Sequence, residues 1–143
     1  MDTDQARGTV KPPLSGYSAD CPSRTVVDVL ANKWVIYVLG LLRAADQPLR
    51  FSELRRQVEG ITQKSLTATL RTLERDGFVD RRTYATVPPR VEYRLTDLGH
   101  EAGHLLTAIN DWALRNAPKV ASARRAFDTA PATTTATAWT PRT

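Results

Sequence analysis

The sequence predicts a mainly α-helical chain with one small β-hairpin and a long C-terminal helix. Three observations carry that reading. Apolar residues recur at helical spacing through residues 22–44, 52–76 and 96–116, whereas a clean period of two appears only in Val91-Glu92-Tyr93-Arg94-Leu95. Turn and stop signals (Asp46-Gln47-Pro48, Gly60, Gly77, Pro88-Pro89) fall between these segments. A single cysteine among 143 residues excludes an intrachain disulfide, so packing alone must build the core.

In chain order, Pro22 and Ser23 suit a helix start, and Val26, Val27 and Leu30 supply its apolar side. A second helix spans about Lys33 to Ala44. Trp34, Val35, Val38, Leu39 and Leu42 cover most of its circumference, which predicts the buried central helix. A short helix over about Ser52–Val58 turns Phe51, Leu54 and Val58 inward and stops at Gly60. Thr62 caps the next helix, about 63–76, where Ile61 and Leu66 form a hydrophobic staple and Leu66, Leu70 and Leu73 an inner stripe. Two helices joined by a short Gly-containing turn form a helix-turn-helix. A hairpin follows at once, its tip Val87-Pro88-Pro89-Arg90 unable to act as central strand because proline lacks a donor. That order is a winged helix. Thr96 then caps a helix reaching about Asn116, before Pro118. Its seam Leu98, Ala102, Leu105, Ile109, Trp112 steps by four and three, the period of a coiled coil, and predicts a homodimer interface.

The domain reading is an unstructured arm over 1–20, a folded domain over 21–118 and an unstructured Ala/Thr/Pro-rich tail over 119–143. The longest apolar run, Val35 to Leu42 with Gly40 inside, falls short of the roughly 20 residues a membrane span requires. The acidic residues Asp2 and Asp4 stand where a signal peptide would be basic, so a cytoplasmic chain without a membrane partner is expected. The formal net charge of +5 says little until segmented. Ten bases against six acids leave +4 over residues 48–95, while residues 96–118 carry −2 and residues 119–143 carry +3. The base is concentrated on the helix-turn-helix and hairpin, which points to a polyanionic partner such as double-stranded DNA.

Chemistry follows from the outer face of the 63–76 helix. With its leucines inside, Gln63, Lys64, Thr67 and Arg71 face out, and no carboxylate interrupts them before Glu74. A helix entering the major groove needs donors for base edges and cations for phosphate. Arg50 and Ser52, at the start of the preceding helix, join these as DNA-binding candidates. Arg90, beside the rigid Pro88-Pro89 turn, fits the concentrated negative potential of a minor groove unless it pairs with Glu92. A winged-helix module for protein–protein assembly without DNA is the alternative, and the basic tip argues against it.

The runs Cys21-Pro22, Lys33-Trp34, Arg50-Phe51-Ser52-Glu53-Leu54, Gly60-Ile61-Thr62-Gln63-Lys64, Leu70 to Gly77, Pro88-Pro89-Arg90-Val91-Glu92-Tyr93 and Leu95 to Gly99 resemble the HxlR-type regulators of the wider MarR/PadR-like winged-helix group. The resemblance spans about Cys21 to Trp112. It implies a bacterial, dimeric, DNA-binding transcriptional regulator, usually a repressor, whose dimers pair through the first and last helices; Val26 on the first helix is thereby a further interface candidate. It also implies Cys21 as a sensor candidate, because some members respond to quinones, aldehydes or oxidants through a cysteine just before the first helix. A thiol at a helix N-terminus is activated by the dipole, although neighbouring Asp20 opposes this. No cofactor is expected.

His100-Glu101-Ala102-Gly103-His104 reads literally as the H-E-x-x-H of zinc peptidases. Thr107 and Asn110 stand where a third ligand would be sought, no Glu follows Glu101, and helical spacing turns both histidines away from the apolar seam. A metal site and an enzyme are therefore not expected.

Overall fold

The computed structural model describes residues 21–131. The elements are α1 (Pro22–Leu30), α2 (Lys33–Ala45), β1 (Leu49–Arg50), α3 (Phe51–Gln57), α4 (Gln63–Arg75), β2 (Val79–Tyr84), β3 (Arg90–Leu95) and α5 (Asp97–Thr129). They form two compact units whose boundary in sequence lies between Ala108 and Ile109. The anticipated unstructured arm over 1–20 lies outside the described residues.

In the first unit α2 is the central helix. Val35, Val38, Leu39 and Leu42 are buried on it, and Trp34, Ile36 and Leu41 pack against the same core. The helix ends where Asp46 adopts a left-handed conformation at φ 50°, which Asp tolerates better than most side chains. Leu54 from α3, Val58 just after it, and Leu66, Leu70 and Leu73 from α4 complete the apolar centre. Gly60, at φ 84°, makes the turn between α3 and α4. The Thr62 hydroxyl oxygen accepts from the Ser65 N–H at 3.0 Å and fixes where α4 begins. Thr62→Ala is expected to destabilise the domain by about 1 kcal/mol in urea unfolding, with an unchanged m-value.

The sheet has strand order β1-β3-β2, all antiparallel. The hairpin register runs from Val79 opposite Leu95 to Tyr84 opposite Arg90. The two-residue β1 pairs Leu49 with Tyr93 and Arg50 with Glu92, a pairing the sequence does not announce. The hairpin base is tied to α5 at one junction. The Thr96 N–H donates to the Phe78 carbonyl at 3.1 Å, its hydroxyl donates to the Gly77 carbonyl, and the Gly99 N–H donates to that same hydroxyl oxygen at 3.0 Å.

α1 buries no residue: Val29 and Leu30 pack on the core, while Val26 and Val27 are exposed. One expectation is corrected here. The last helix does not stop before Pro118, and residues 119–129, read from sequence as part of an unstructured tail, are helical. Proline removes one hydrogen bond at a cost of about 3 kcal/mol, but ten alanine, lysine, arginine and other compatible side chains around it favour helix on both sides. Residues 132–143 lie outside the described residues.

Candidate nucleic-acid interface

α4 presents the face the sequence assigns to it. Gln63, Lys64, Thr67, Ala68 and Arg71 are exposed, while Leu66, Thr69, Leu70 and Leu73 turn inward. The Thr67 hydroxyl donates to the Gln63 carbonyl at 2.8 Å. Its proton is thus committed to the helix, and it offers outward a methyl group and oxygen lone pairs. Lys64 and Arg71 supply the cations and Gln63 the amide.

The wing differs from its expected form. Arg90 does not stand alone at the tip. Its Nε lies 3.3 Å from Glu92 Oε1, and its guanidinium carbon sits 4.4 Å from the centre of the Tyr84 ring. The ion pair lacks hydrogen-bond alignment, which leaves the buried Nε without a hydrogen-bond partner among the described residues. The cross-strand pairing of Tyr84 with Arg90 and of Arg82 with Glu92 explains the cluster. Arg82 approaches the same ring at 5.8 Å. Tyr84 and Arg82 escaped the sequence reading, and the available signal was the hairpin register itself. The tip proper consists of residues 85–89, with Val87 fully exposed.

β1 also brings separated predictions together. Arg50, Ser52 and Arg90 line one groove of about 610 Å³ between the start of α3 and the wing, with Phe51 and the prolines of the tip as its apolar walls. The Arg50 N–H donates to Glu53 Oε2 at 2.9 Å, fixing that entry into α3 and leaving the exposed guanidinium to other anions.

Cys21 stands as N-cap of α1, half-buried, with its Sγ 3.1 Å from the Ser23 hydroxyl. Of the expected dimer seam, Leu98, Leu105, Ile109 and Trp112 are exposed, as is Val26. Ala102 is not: it is 5% exposed and belongs to the chain's own core, together with Gly99, Gly103 and Leu106. The expected seam is therefore corrected at Ala102, since four residues of the first turns of α5 are consumed by intrachain packing. His100 and His104 are exposed, and the latter's Nδ1 accepts a hydrogen bond from Arg43 at 3.2 Å. Among the described residues no three His, Cys, Asp or Glu side chains converge as a metal site. No single described helix is long and apolar enough to cross a membrane.

Comparison with known proteins points the same way. The HxlR-like helix-turn-helix family model matches residues 29–121. The HTH-type transcriptional regulator YtfH of Escherichia coli is 40% identical over 108 residues, covering 76% of this chain and 84% of its own length. The solved structure of the transcriptional regulator ytfH from Salmonella typhimurium superposes with a TM-score of 0.71 at 40% identity, covering 76% of this chain and 96% of that one. The redox regulator HypR, solved in its oxidised form, gives a TM-score of 0.57 at 40% identity and covers 67% of this chain and 97% of its own.

Proposed function

The chain belongs to the HxlR-like helix-turn-helix family of transcriptional regulators and is not an enzyme, and on that footing we propose that it acts as a homodimer that binds double-stranded operator DNA. The observation that carries this reading is the exposed face of α4. From Gln63 to Thr72 it holds amide, hydroxyl and cationic groups and no carboxylate. Two such helices, one per protomer, would enter successive major grooves about 34 Å apart, which requires a pseudo-palindromic site. Gln63 and Thr67 would meet base edges, whereas Lys64, Arg71, Arg50 and Ser52 would hold phosphates. Arg90, steadied by Tyr84 and Glu92, would place the wing on the backbone or minor groove. Leu98, Leu105, Ile109, Trp112 and Val26 would meet the second copy. A dimer seated on a promoter blocks polymerase sterically, so repression is the expected outcome.

A response to thiol-reactive electrophiles or oxidants through Cys21 forms the second part of the proposal. It is supported by the position of the thiol at the start of α1 and by the likeness to a redox regulator. With one cysteine per chain, the chemistry would be an intersubunit disulfide, a mixed disulfide with a small thiol, or alkylation. Cys21→Ser is expected to retain DNA affinity within about twofold and to lose its response to diamide and quinone. A variant that still responds as the wild type does would remove Cys21 from the mechanism.

The deciding experiment is selection of genomic fragments by the purified protein, repeated after diamide treatment. A two-fold-related motif should be enriched. Recovery of no fragment above random DNA would refute operator binding.

A further inference from the structure

The outer face of α4 carries amide and cationic groups toward its ends and methyl groups at its middle. Among the described residues of α4, Ala68 is the one exposed side chain without a polar group. At about 3.6 residues per turn it stands close to opposite the middle of the buried Leu66, Leu70 and Leu73 stripe. The threonine hydroxyls around it all donate to the helix's own carbonyls. Thr67 donates to Gln63 at 2.8 Å, Thr69 to Ser65 at 2.7 Å and Thr72 to Ala68 at 3.1 Å. Those protons are withheld from any base edge, and Thr67 keeps outward only a methyl group and oxygen lone pairs. Lys64 and Arg71, on either side of Ala68 along the helix, are long enough to reach phosphates and leave the ground between them to short side chains. Resting on the operator binding proposed above, we infer that Thr67 and Ala68 determine specificity by packing their methyl groups on the C5-methyl group of a thymine in each half-site.

The major-groove edges explain why thymine is the base selected. They offer acceptors (guanine O6 and N7, adenine N7, thymine O4), amino donors (adenine N6, cytosine N4) and one apolar group, the C5-methyl of thymine. Against an acceptor, a methyl surface displaces water and returns no hydrogen bond, which leaves the acceptor buried and unpaired. The Thr67 hydroxyl cannot rescue it, because its proton is held by the Gln63 carbonyl. An amino group could use the lone pairs of Thr67 but would set the Ala68 methyl against a polar edge. The thymine methyl group gains instead. It and the two protein methyl groups cover one another and leave water together.

The test uses the full-length protein and the operator recovered by genomic selection. Each thymine is replaced in turn, symmetrically in both half-sites, by deoxyuridine, which pairs as thymidine does and lacks only the methyl group. At one thymine position the wild type should lose affinity about fourfold per half-site and about 15-fold for both, read by fluorescence anisotropy at fixed salt. Thr67→Ser combined with Ala68→Gly removes both methyl groups and keeps a hydroxyl at position 67. This double variant should bind the thymine operator about 15-fold more weakly than wild type and should no longer distinguish uracil from thymine at that position. Comparing two DNAs on one protein cancels the loss of helix propensity that Ala68→Gly brings. Thr67→Val, which keeps a methyl group and removes the hydroxyl, should discriminate as the wild type does.

A double variant that still discriminates like the wild type would overturn the inference, as would an operator in which no thymine methyl group matters. Loss of discrimination in Thr67→Val would assign the reading to the hydroxyl and overturn it too. Failure to bind any operator above random DNA would remove the operator reading and this inference together, whereas specific binding without a methyl effect would remove only the inference.

Discussion

Gly99→Ala is expected to destabilise the first unit by about 2–4 kcal/mol and to lower its Tm by roughly 10–30 °C. Gly99 is buried in the first turn of α5, capped by Thr96. A Cβ placed there would stand 2.0 Å from the Phe78 carbonyl oxygen and 3.2 Å from a methyl of Leu95. The first of these is backbone, held in place by the Thr96 N–H at 3.1 Å, and cannot yield as a side-chain end would. The requirement is for close approach, not for an unusual φ. Gly103→Ala is the matched control. Its Cβ would meet the Arg43 side chain at 3.3 Å, a flexible stem that can shift, and alanine adds up to about 1 kcal/mol of helix propensity. Thermal unfolding followed by circular dichroism separates the two. If Gly99→Ala melted within about 2 °C of wild type, the close packing at this junction would be wrong.

Charge reversal at Arg71 should have the largest effect on DNA affinity. Arg71→Glu replaces an exposed cation in the middle of the α4 face by a group that repels phosphate, once in each protomer of the proposed dimer. Operator affinity measured by fluorescence anisotropy should fall by about 100-fold or more at physiological salt. The milder Arg71→Ala tells what the residue touches. A phosphate contact predicts weaker binding to every sequence and a salt slope shallower by about 1 per protomer. A base contact predicts that only one position of the operator loses its preference. Unchanged affinity and slope in Arg71→Glu would mean that α4 is not the reading helix.

The parts that were legible in the sequence are those whose determinants are local. The α2 and α4 stripes, the Thr62 and Thr96 caps and the turn at Gly60 each depend on residues within a helical turn or two, and each is found where read. The exposed residues of α4 were legible for the same reason, because burying Leu66, Leu70 and Leu73 dictates what faces out. The misses depend on pairing across the chain. β1 is too short to show a period, and it exists because Leu49 and Arg50 find Tyr93 and Glu92. Tyr84 joins the wing site only through its register with Arg90. Ala102 has the spacing of a seam residue, yet it is small enough to be drawn into the core beside Gly99 and Gly103. Pro118 gave a true local penalty that the surrounding helix overrode.

The short β1–β3 ladder has a thermodynamic consequence for recognition. A hairpin held only by its own two strands would swing about its base and would have to be immobilised when it met DNA. Here the inner strand of the wing is clamped on its other edge by the residues that lead into α3. The ordering of the wing is thereby completed during folding, and association need not repeat it. Loosening that clamp, for instance by placing proline at Arg50 to remove the N–H that Glu53 accepts at the entry into α3, would transfer the ordering cost to the binding step. Affinity would then fall through an unfavourable entropy, even for DNA that the wing's own side chains still fit.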